Sequence, residues 1–525
     1  MRILETDYLV VGSGPAGVSA AQVLVESGLQ VTLIDSSDEA CGKLAAVPEG
    51  TLAQLRNSGE LGTILLHPDV DYLSHTVPDN GPKYRTPRGF NVIGGGQYPN
   101  KSNGIFIPGN NVRGGQSEIW GAAVPRYSDE QLSKMGLYPV EFGAHYSAVE
   151  KMLGSSVRSG SDAAHSGLEN QIKPEIPDNI LRITFRKFTS KKSSRGSGVS
   201  LEPIQNAVAD REENGRQACS LCGRCLWGCP TNSIWSAAFA INELATYPNF
   251  RYRPSHVLAE VDSSSDNAIG RITHNGEDIL FNAKKIILAT GVVQSTSIVA
   301  NSIKYSGKVR LHHNPVAVFL ALSIAAGGRP KGGEEFGLAQ LAWRSPLSDG
   351  DEEAYGLLYG ANTLPFSSFM AAIPGPFAVR SFIARFISRR GVVGTAYLPS
   401  SFSNSEMIFV KGEVASISGS TSREAKAEFK YLHSALRSSL MPSGLFLPPM
   451  AMAVANTGTD AHFAGTMPHT LKNNSSAALT TDLLGRPSGM KNVHVVDGSV
   501  LPFLPAEHPT LTVMANSHRI ASAII

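Results

Sequence analysis

The chain has 525 residues, of which 42% are hydrophobic and 17% charged, and its formal net charge is +2. These values exclude a disordered chain and a coiled coil, and the near-neutral charge argues against a nucleic-acid binder. The sequence has no run of about 18 apolar residues, so we expect no transmembrane segment. The first residues lack the apolar core of a signal peptide, and five cysteines are too few for a disulfide framework. We therefore expect a cytoplasmic enzyme.

The N-terminal residues predict a strand, a glycine-rich turn and a helix. Residues 7–11 are an apolar run, and residues 15–25 have the small side chains of a closely packed helix. The turn between them is a G-x-G-x-x-G motif. In such a motif Gly12 allows the tight turn, Gly14 lets a pyrophosphate approach the backbone, and Gly17 lets helix and strand pack closely.

A second predicted strand, residues 31–34, is followed by Asp35. A carboxylate at this position can hold the ribose diol of a dinucleotide, while the N-terminus of the preceding helix faces the phosphates with free N–H groups. Together these features predict a βαβ unit that binds a dinucleotide. The motif alone does not distinguish FAD from NAD.

Four of the five cysteines lie within eleven residues, as Cys219, Cys222, Cys225 and Cys229, followed by a proline. This is the spacing of a bacterial ferredoxin iron–sulfur run, whereas structural zinc prefers two cysteine pairs separated by a longer loop. In two-cluster ferredoxins the fourth cysteine ligates the other cluster, and the sequence has no second run. Three alternatives stay open: a three-iron cluster, a four-iron cluster with Cys229 or another fourth ligand, and thiols that pack or form labile disulfides. We favour the iron–sulfur cluster.

Five segments resemble those of one flavoenzyme family. Residues 492–502 and 508–515 resemble the C-terminal signature of the glucose–methanol–choline (GMC) oxidoreductases. Residues 114–121 are similar to the family's flavin loop, residues 289–295 to its strand-end glycine turn, and residues 462–467 to its His-x-x-Gly-Thr element. The order and spacing of these segments match over nearly the whole chain.

The resemblance implies FAD as the cofactor and a mixed α/β fold. A Rossmann-like FAD-binding domain would comprise residues 1–130, 218–310 and 455–525. An inserted substrate domain with an antiparallel sheet would comprise residues 131–217 and 311–454. The expected FAD contacts, beyond those of the glycine turn, are Gly115, Ser117 and Trp120 of the flavin loop, Val257 and Gly291 near the adenosine, and Asp497 and Gly498 near the flavin. Because Ile119 occupies the position of the histidine that attaches FAD in some members, no covalent bond is expected there.

Oxidation of an alcohol removes a hydroxyl proton and a hydride, and flavin N5 can take the hydride. The protein must supply a base with a pKa near neutrality, for which histidine is the usual residue. The resemblance implies that His462 is this base and that His508 hydrogen-bonds to the substrate oxygen, although the two roles could be exchanged.

The sequence therefore predicts an FAD-dependent enzyme that oxidises a CH–OH group of a small alcohol, sugar or polyol. An iron–sulfur cluster would make it a dehydrogenase that passes electrons to a carrier protein or a quinone. Two alternatives are an oxidase that uses oxygen and has structural cysteines, and a lyase in which FAD takes no net part in redox chemistry. No nucleic-acid partner is expected.

Overall fold

The computed structural model describes most of the chain outside several long loops. The described residues are 2–37, 50–52, 54, 101–108, 112–154, 176–190, 198–226, 228–263, 266–324, 334–363, 376–449, 451–470 and 479–525. The strands within them are β1 (Arg2–Val11), β2 (Val31–Ile34), β3 (Ser102–Asn103), β4 (Ser200–Pro203), β5 (Phe250–Arg253), β6 (His256–Asp262), β7 (Ala268–His274), β8 (Glu277–Leu288), β9 (Gly307–Arg310), β10 (His312–His313), β11 (Val316–Ser323), β12 (Leu341–Pro346), β13 (Glu353–Gly360), β14 (Gly391–Tyr397), β15 (Ser403–Val410), β16 (Glu413–Thr421), β17 (Leu445–Phe446), β18 (Met452–Val454), β19 (Phe463–Ala464) and β20 (Val493–Val495).

The described α-helices connect and cover these strands. They are α1 (Pro15–Glu26), α2 (Asp129–Lys134), α3 (Pro139–Leu153), α4 (Asn179–Ser190), α5 (Ala237–Leu244), α6 (Val292–Ser302), α7 (Phe377–Arg390), α8 (Arg423–Leu440) and α9 (Thr510–Ala523). Within the described residues, no helix is both long enough and apolar enough to cross a lipid bilayer.

The first large sheet has seven strands and draws them from three separate parts of the chain. Its order is β5-β2-β1-β8-β7-β6, and β20 also pairs with β8. Strands β1, β2, β5, β8 and β20 run parallel. Val11 pairs with both Ile34 and Leu288, so the carboxyl ends of β1, β2 and β8 lie side by side. Ligands of open α/β sheets bind beyond such ends.

The second large sheet is antiparallel, in the order β17-β11-β14-β13-β12-β4, with β18 also paired to β11. Helices α4 and α8 cover one of its faces, where Leu181 and Leu432 pack in one apolar core with Trp343 and Leu358. Because successive side chains of a strand point to opposite faces, the other face remains available to line a site.

Two smaller sheets complete the architecture. Strands β3, β16, β15 and β9 form one of them, and β10 pairs with β19 in the other. The second pairing sets His313 opposite Phe463, the residue that follows His462. The predicted α/β fold class with an antiparallel-sheet part is confirmed. The boundaries of the two predicted domains remain a prediction.

Candidate active site

One cavity of about 650 Å³ is lined by both large sheets. It begins at the carboxyl ends of β1 and β2 and extends to the uncovered face of the antiparallel sheet. Twelve of the residues predicted from the sequence line it: Gly12, Gly14, Asp35, Gly115, Ser117, Trp120, Val257, Gly291, His462, Asp497, Gly498 and His508. The structure thus brings the predicted dinucleotide and catalytic residues to one cavity.

Gly17 is the exception among the predicted cofactor residues, because it does not line the cavity. A Cβ atom at Gly17 would overlap the carbonyl oxygen of Gly12, and one at Gly12 would overlap the carbonyl oxygen of Ala289. A Cβ atom at Gly14, in contrast, would have no described atom within 4 Å. Gly12 and Gly17 are therefore needed for packing, whereas the backbone of Gly14 faces open space that a phosphate can approach.

The first turn of α1 is suited to hold an anion. Among the described residues no side chain caps this helix, and no acidic side chain lies in its first turn. Its N-terminal N–H groups therefore keep their partial positive charge for a ligand. Asp35 accepts hydrogen bonds from the backbone N–H groups of Ser13 (2.8 Å) and Ser37 (2.7 Å), which fixes its carboxylate at the end of β2.

The loop at 114–121 is tied to this glycine turn. The N–H of Gly114 donates to the hydroxyl of Ser13 (3.0 Å), and Gly114 adopts a φ of 92°, which favours glycine. The hydroxyl of Ser117 donates to the carbonyl of Gly114 (2.6 Å). Trp120 donates its indole N–H to the carbonyl of Trp235 (2.9 Å) and contacts that residue's ring edge to face. The loop is thereby held rigidly along the cavity.

Asp497 connects the C-terminal segment to the helix α6. Its carboxylate accepts hydrogen bonds from the N–H of Gly291 (3.0 Å), from the hydroxyl of Ser295 (2.5 Å) and from the N–H of Ser499 (3.0 Å). Burial raises the pKa of Asp497, and these hydrogen bonds act against that rise. The carboxylate thus braces the two glycine turns, Gly291 and Gly498, that line the cavity.

His462 and His508 lie side by side in the lining of the cavity. Their ring centroids are 4.7 Å apart, with the ring planes at 76°. Tyr397 of β14 contacts both rings, at centroid distances of 5.6 Å to His462 and 4.9 Å to His508. Because the tyrosine comes from the antiparallel sheet, both large sheets contribute to this cluster.

Asn314 fixes the tautomer of His462, that is, which ring nitrogen carries the proton. The Nδ2 group of Asn314 donates to the carbonyls of Leu398 (2.9 Å) and Pro505 (2.8 Å), so its Oδ1 atom must be the one that faces His462. Oδ1 lies 3.3 Å from Nδ1 of His462 and can only accept. Nδ1 therefore carries the proton, and Nε2 of the neutral ring is left with a lone pair. A histidine in this state is ready to act as a base.

The segment that carries His508 is fixed by an ion pair whose glutamate is buried. The preceding residue, Glu507, pairs with Arg344 and also accepts a hydrogen bond from Gln131 (3.1 Å). Arg344 lies over the ring of Tyr355, which in turn contacts the ring of His508 edge to face. Breaking a buried ion pair is costly, so this arrangement holds the backbone at His508 in place.

Two further histidines lie near the pair without lining the cavity. Burial lowers the pKa of His312 and of His313 to about 4, so both are neutral at physiological pH. The buried carboxylate of Asp460 lies 3.8 Å from Nδ1 of His313 and accepts hydrogen bonds from the N–H groups of Asn314 and His462. These contacts make the segment around His462 rigid.

The four clustered cysteines lie next to the cavity but do not form a metal site. All four are free and partly buried, and the Sγ atom of Cys225 accepts a hydrogen bond from the N–H of Gly337 (3.3 Å). Burial raises the pKa of Cys219 to about 11. In the described part of the chain, no group of three or more His, Cys, Asp or Glu side chains is arranged to hold a metal ion. The predicted iron–sulfur cluster is therefore not supported. None of the four cysteines lines the cavity, but Leu226, which follows Cys225, does.

The FAD-binding and C-terminal elements also match family models. Residues 439–517 match the model described as GMC oxidoreductase, and residues 5–81 match the one described as FAD binding domain. These two matches support the predicted resemblance to the GMC oxidoreductases. The predicted family and the predicted dependence on FAD are thus confirmed, and the cavity described above has the glycine turns and open phosphate approach that FAD requires.

The chain shares its fold with a protein of known structure. The crystal structure of pyridoxine 4-oxidase from Mesorbium loti superposes with a TM-score of 0.59 over 99% of both chains, at 12% sequence identity. At this identity the likeness shows the fold alone. No curated protein sequence matches the chain significantly.

Several residues of the site carry no local sequence signal. Asn314 is 148 positions from His462, and it meets that residue through the pairing of β10 with β19. Tyr397 and Tyr359 reach the cavity because alternate residues of β14 and β13 face it. The alternation of these strands is visible in the sequence, but the identity of the face that meets the cavity depends on the tertiary structure.

Proposed function

We propose that this protein oxidises the CH–OH group of a small alcohol to a carbonyl. The observation that carries the proposal is the pair of histidines in the lining of the cavity, 4.7 Å apart, with Nδ1 of His462 held by Asn314. Glycine turns that suit a dinucleotide line the same cavity. This arrangement provides a proton acceptor and a cofactor site for one substrate.

In the proposed reaction the hydroxyl proton of the alcohol moves to Nε2 of His462. His508 hydrogen-bonds to the substrate oxygen and orients the carbinol carbon. The chemistry that bound FAD supplies is acceptance of the hydride, and with it two electrons, from that carbon. Gly12, Gly14 and Asp35 would hold the pyrophosphate and ribose of FAD. Gly115, Ser117 and Trp120 would hold its flavin ring.

Molecular oxygen is the electron acceptor that we propose. It takes up two electrons and two protons and yields hydrogen peroxide. The arrangement of the cysteines supports this choice, because it does not suit the metal cluster that electron export would use.

The second candidate is a dehydrogenase that exports electrons to a carrier protein or a quinone. One observation favours it, namely the ferredoxin-like spacing of Cys219, Cys222, Cys225 and Cys229. Purification without oxygen, followed by measurement of flavin, iron and acid-labile sulfide per chain, separates the two. We expect flavin without iron. When oxygen and an alcohol are then added, we expect one hydrogen peroxide per carbonyl formed. Three or four irons with matching sulfide would instead establish the dehydrogenase.

Substitution of the base tests the proposed mechanism. In His462→Ala the FAD content stays equal to that of the parent, because His462 is not among the residues expected to hold the dinucleotide. The rate of flavin reduction by an alcohol falls by a factor of about 10² to 10⁴, the contribution usual for a general base. Stopped-flow absorbance measures this rate.

His433→Ala is the matched control. His433 lies on α8 and donates to the carbonyl of Pro448 (2.9 Å), and it does not line the cavity. Its removal leaves the reduction rate unchanged. If His462→Ala reduced flavin as fast as this control, His462 would not be the base.

A further inference from the structure

Three neighbouring strands of the antiparallel sheet form one wall of the cavity, which we call the apolar floor. Its side chains are Val316 and Val318 of β11, Leu357 and Tyr359 of β13, and Val393 and Tyr397 of β14. Strand pairing sets Tyr397 opposite Val316 and Val393 opposite Tyr359. Because alternate residues of a strand share a face, these side chains form one continuous surface.

The apolar floor offers no charge to a substrate. Its only ionisable groups are the phenols of Tyr359 and Tyr397, and burial raises the pKa of both, so they stay neutral. The carboxylates among the described cavity residues, Asp35, Asp460 and Asp497, each accept hydrogen bonds from backbone N–H groups. A substrate with an ammonium or carboxylate group would therefore lose its hydration without gaining a partner on this wall.

The apolar floor is also poorly suited to a sugar or polyol. Besides the two phenols, its strands bring one more hydroxyl to the cavity, that of Thr395, which already accepts a hydrogen bond from the N–H of Leu357 (3.1 Å). A polyol brings several hydroxyls, and each one that is buried without a partner weakens binding. Valine and leucine side chains instead favour a substrate with an apolar skeleton.

One aromatic side chain of the apolar floor lies against the histidine pair. The ring of Tyr397 contacts both His462 and His508, and Trp120 lines the same cavity. Aromatic rings gain from edge-to-face contacts beyond the burial of their area. We propose that the substrate is a neutral arylmethanol, and this inference rests on the alcohol oxidation proposed above. The aromatic ring of the substrate lies on the apolar floor, and its hydroxyl contacts the histidine pair.

Anaerobic flavin reduction in the holoenzyme tests this substrate class. The panel consists of benzyl alcohol, cinnamyl alcohol, pyridoxine, glucose and choline, and the readout is the second-order rate constant for loss of the oxidised flavin absorbance. We expect benzyl or cinnamyl alcohol to exceed glucose and choline by at least about a hundredfold, since glucose and choline would bury hydroxyls or a charge that find no partner on this wall. Glucose or choline as the fastest substrate would overturn the arylmethanol proposal and leave alcohol oxidation standing. Failure of all five would overturn both.

Two adjacent valines provide a matched pair of variants. Val393→Thr places a hydroxyl on the apolar floor, whereas Val392→Thr places the same group in the fully buried core on the other face of β14. We expect Val393→Thr to raise KM for benzyl alcohol about three- to tenfold with little change in kcat, and Val392→Thr to leave KM unchanged. Equal KM values in the two variants would show that the arylmethanol does not lie on the apolar floor.

Discussion

At the scale of single residues, the histidine pair depends on an amide that fixes one tautomer. Asn314 donates through Nδ2 to two backbone carbonyls, so its Oδ1 atom can only face His462 as an acceptor. We regard Asn314 as a positioning residue, since it acts on the substrate through the imidazole. The same role is played by hydrogen-bond partners of histidine in many active sites.

Asn314→Asp should therefore alter the pH dependence of the reaction. A carboxylate 3.3 Å from Nδ1 would favour the protonated imidazole, so the acidic limb of the pH profile of flavin reduction moves to higher pH. Asn314→Ala should slow reduction at all pH values without moving that limb. The profile is measured by stopped-flow absorbance at a saturating alcohol concentration. A limb at the same pH in both variants would show that Asn314 has only a structural role.

The sequence indicates the two histidines but not the residues around them. His462 and His508 stand in segments that resemble those of the family, so they could be predicted from the chain alone. Asn314 and Tyr397 stand in segments without such a signal and reach the site through strand pairing over long sequence separations. Cys222 shows the opposite case, because its spacing is specific but its surroundings do not form a metal site.

At the scale of secondary-structure elements, the glycines of the turn between β1 and α1 have two different functions, which are packing of the helix and approach of the ligand. Gly17 lies where α1 packs against the turn, and a Cβ atom there would overlap the carbonyl oxygen of Gly12. Gly14 faces space that no described atom occupies. One glycine thus serves the fold and the other serves the ligand.

Alanine substitutions should separate the two roles. Gly14→Ala should leave the thermal stability of the apoprotein unchanged but weaken FAD binding, since the added methyl group occupies the approach of the pyrophosphate. Gly17→Ala should lower the stability of the apoprotein itself by about 1–3 kcal/mol through overpacking. FAD titration by fluorescence and thermal unfolding of both apoproteins measure these effects. Equal FAD affinities of Gly14→Ala and the parent would contradict the assignment.

Some of the elements could be predicted from their apolar runs and small residues. The apolar run at residues 7–11 is the buried end of β1, and the small-residue stretch at 15–25 is α1. The apolar run that begins at Val316 is β11, as its β-branched and aromatic residues indicate. Which strands become neighbours could not be predicted, because β1 and β8 pair across more than half of the chain.

At the scale of the whole molecule, several buried histidines link stability to pH. Burial lowers the pKa of His313, His469 and His494 to about 4 in the folded protein, whereas the unfolded value is 6.5. Nδ1 of His469 lies 2.7 Å from the carbonyl of Asp482, and Nδ1 of His494 lies 2.9 Å from that of Leu484, so each neutral ring donates a hydrogen bond from Nδ1.

Stability should therefore fall as the pH drops from 6.5 toward 4. In this range the unfolded chain takes up protons that the folded protein does not bind, and each such histidine lowers the free energy of unfolding by about 1 kcal/mol per pH unit. His494→Asn keeps an N–H donor for Leu484 but removes the titrating group, so its melting temperature falls less between pH 7 and pH 5 than that of the parent. Thermal unfolding of both holoproteins provides the comparison. An identical fall would contradict this linkage.

We propose that the two large sheets meet at one cavity in which an alcohol is oxidised and its electrons are delivered to FAD. Anaerobic titration of the holoenzyme with an arylmethanol tests it most directly, because oxygen cannot then restore the oxidised cofactor. We expect the visible absorbance of oxidised flavin to disappear, with one carbonyl product formed per FAD. Consumption of the alcohol with the flavin absorbance unchanged would contradict the claim and would indicate the lyase chemistry that the histidine pair could also support.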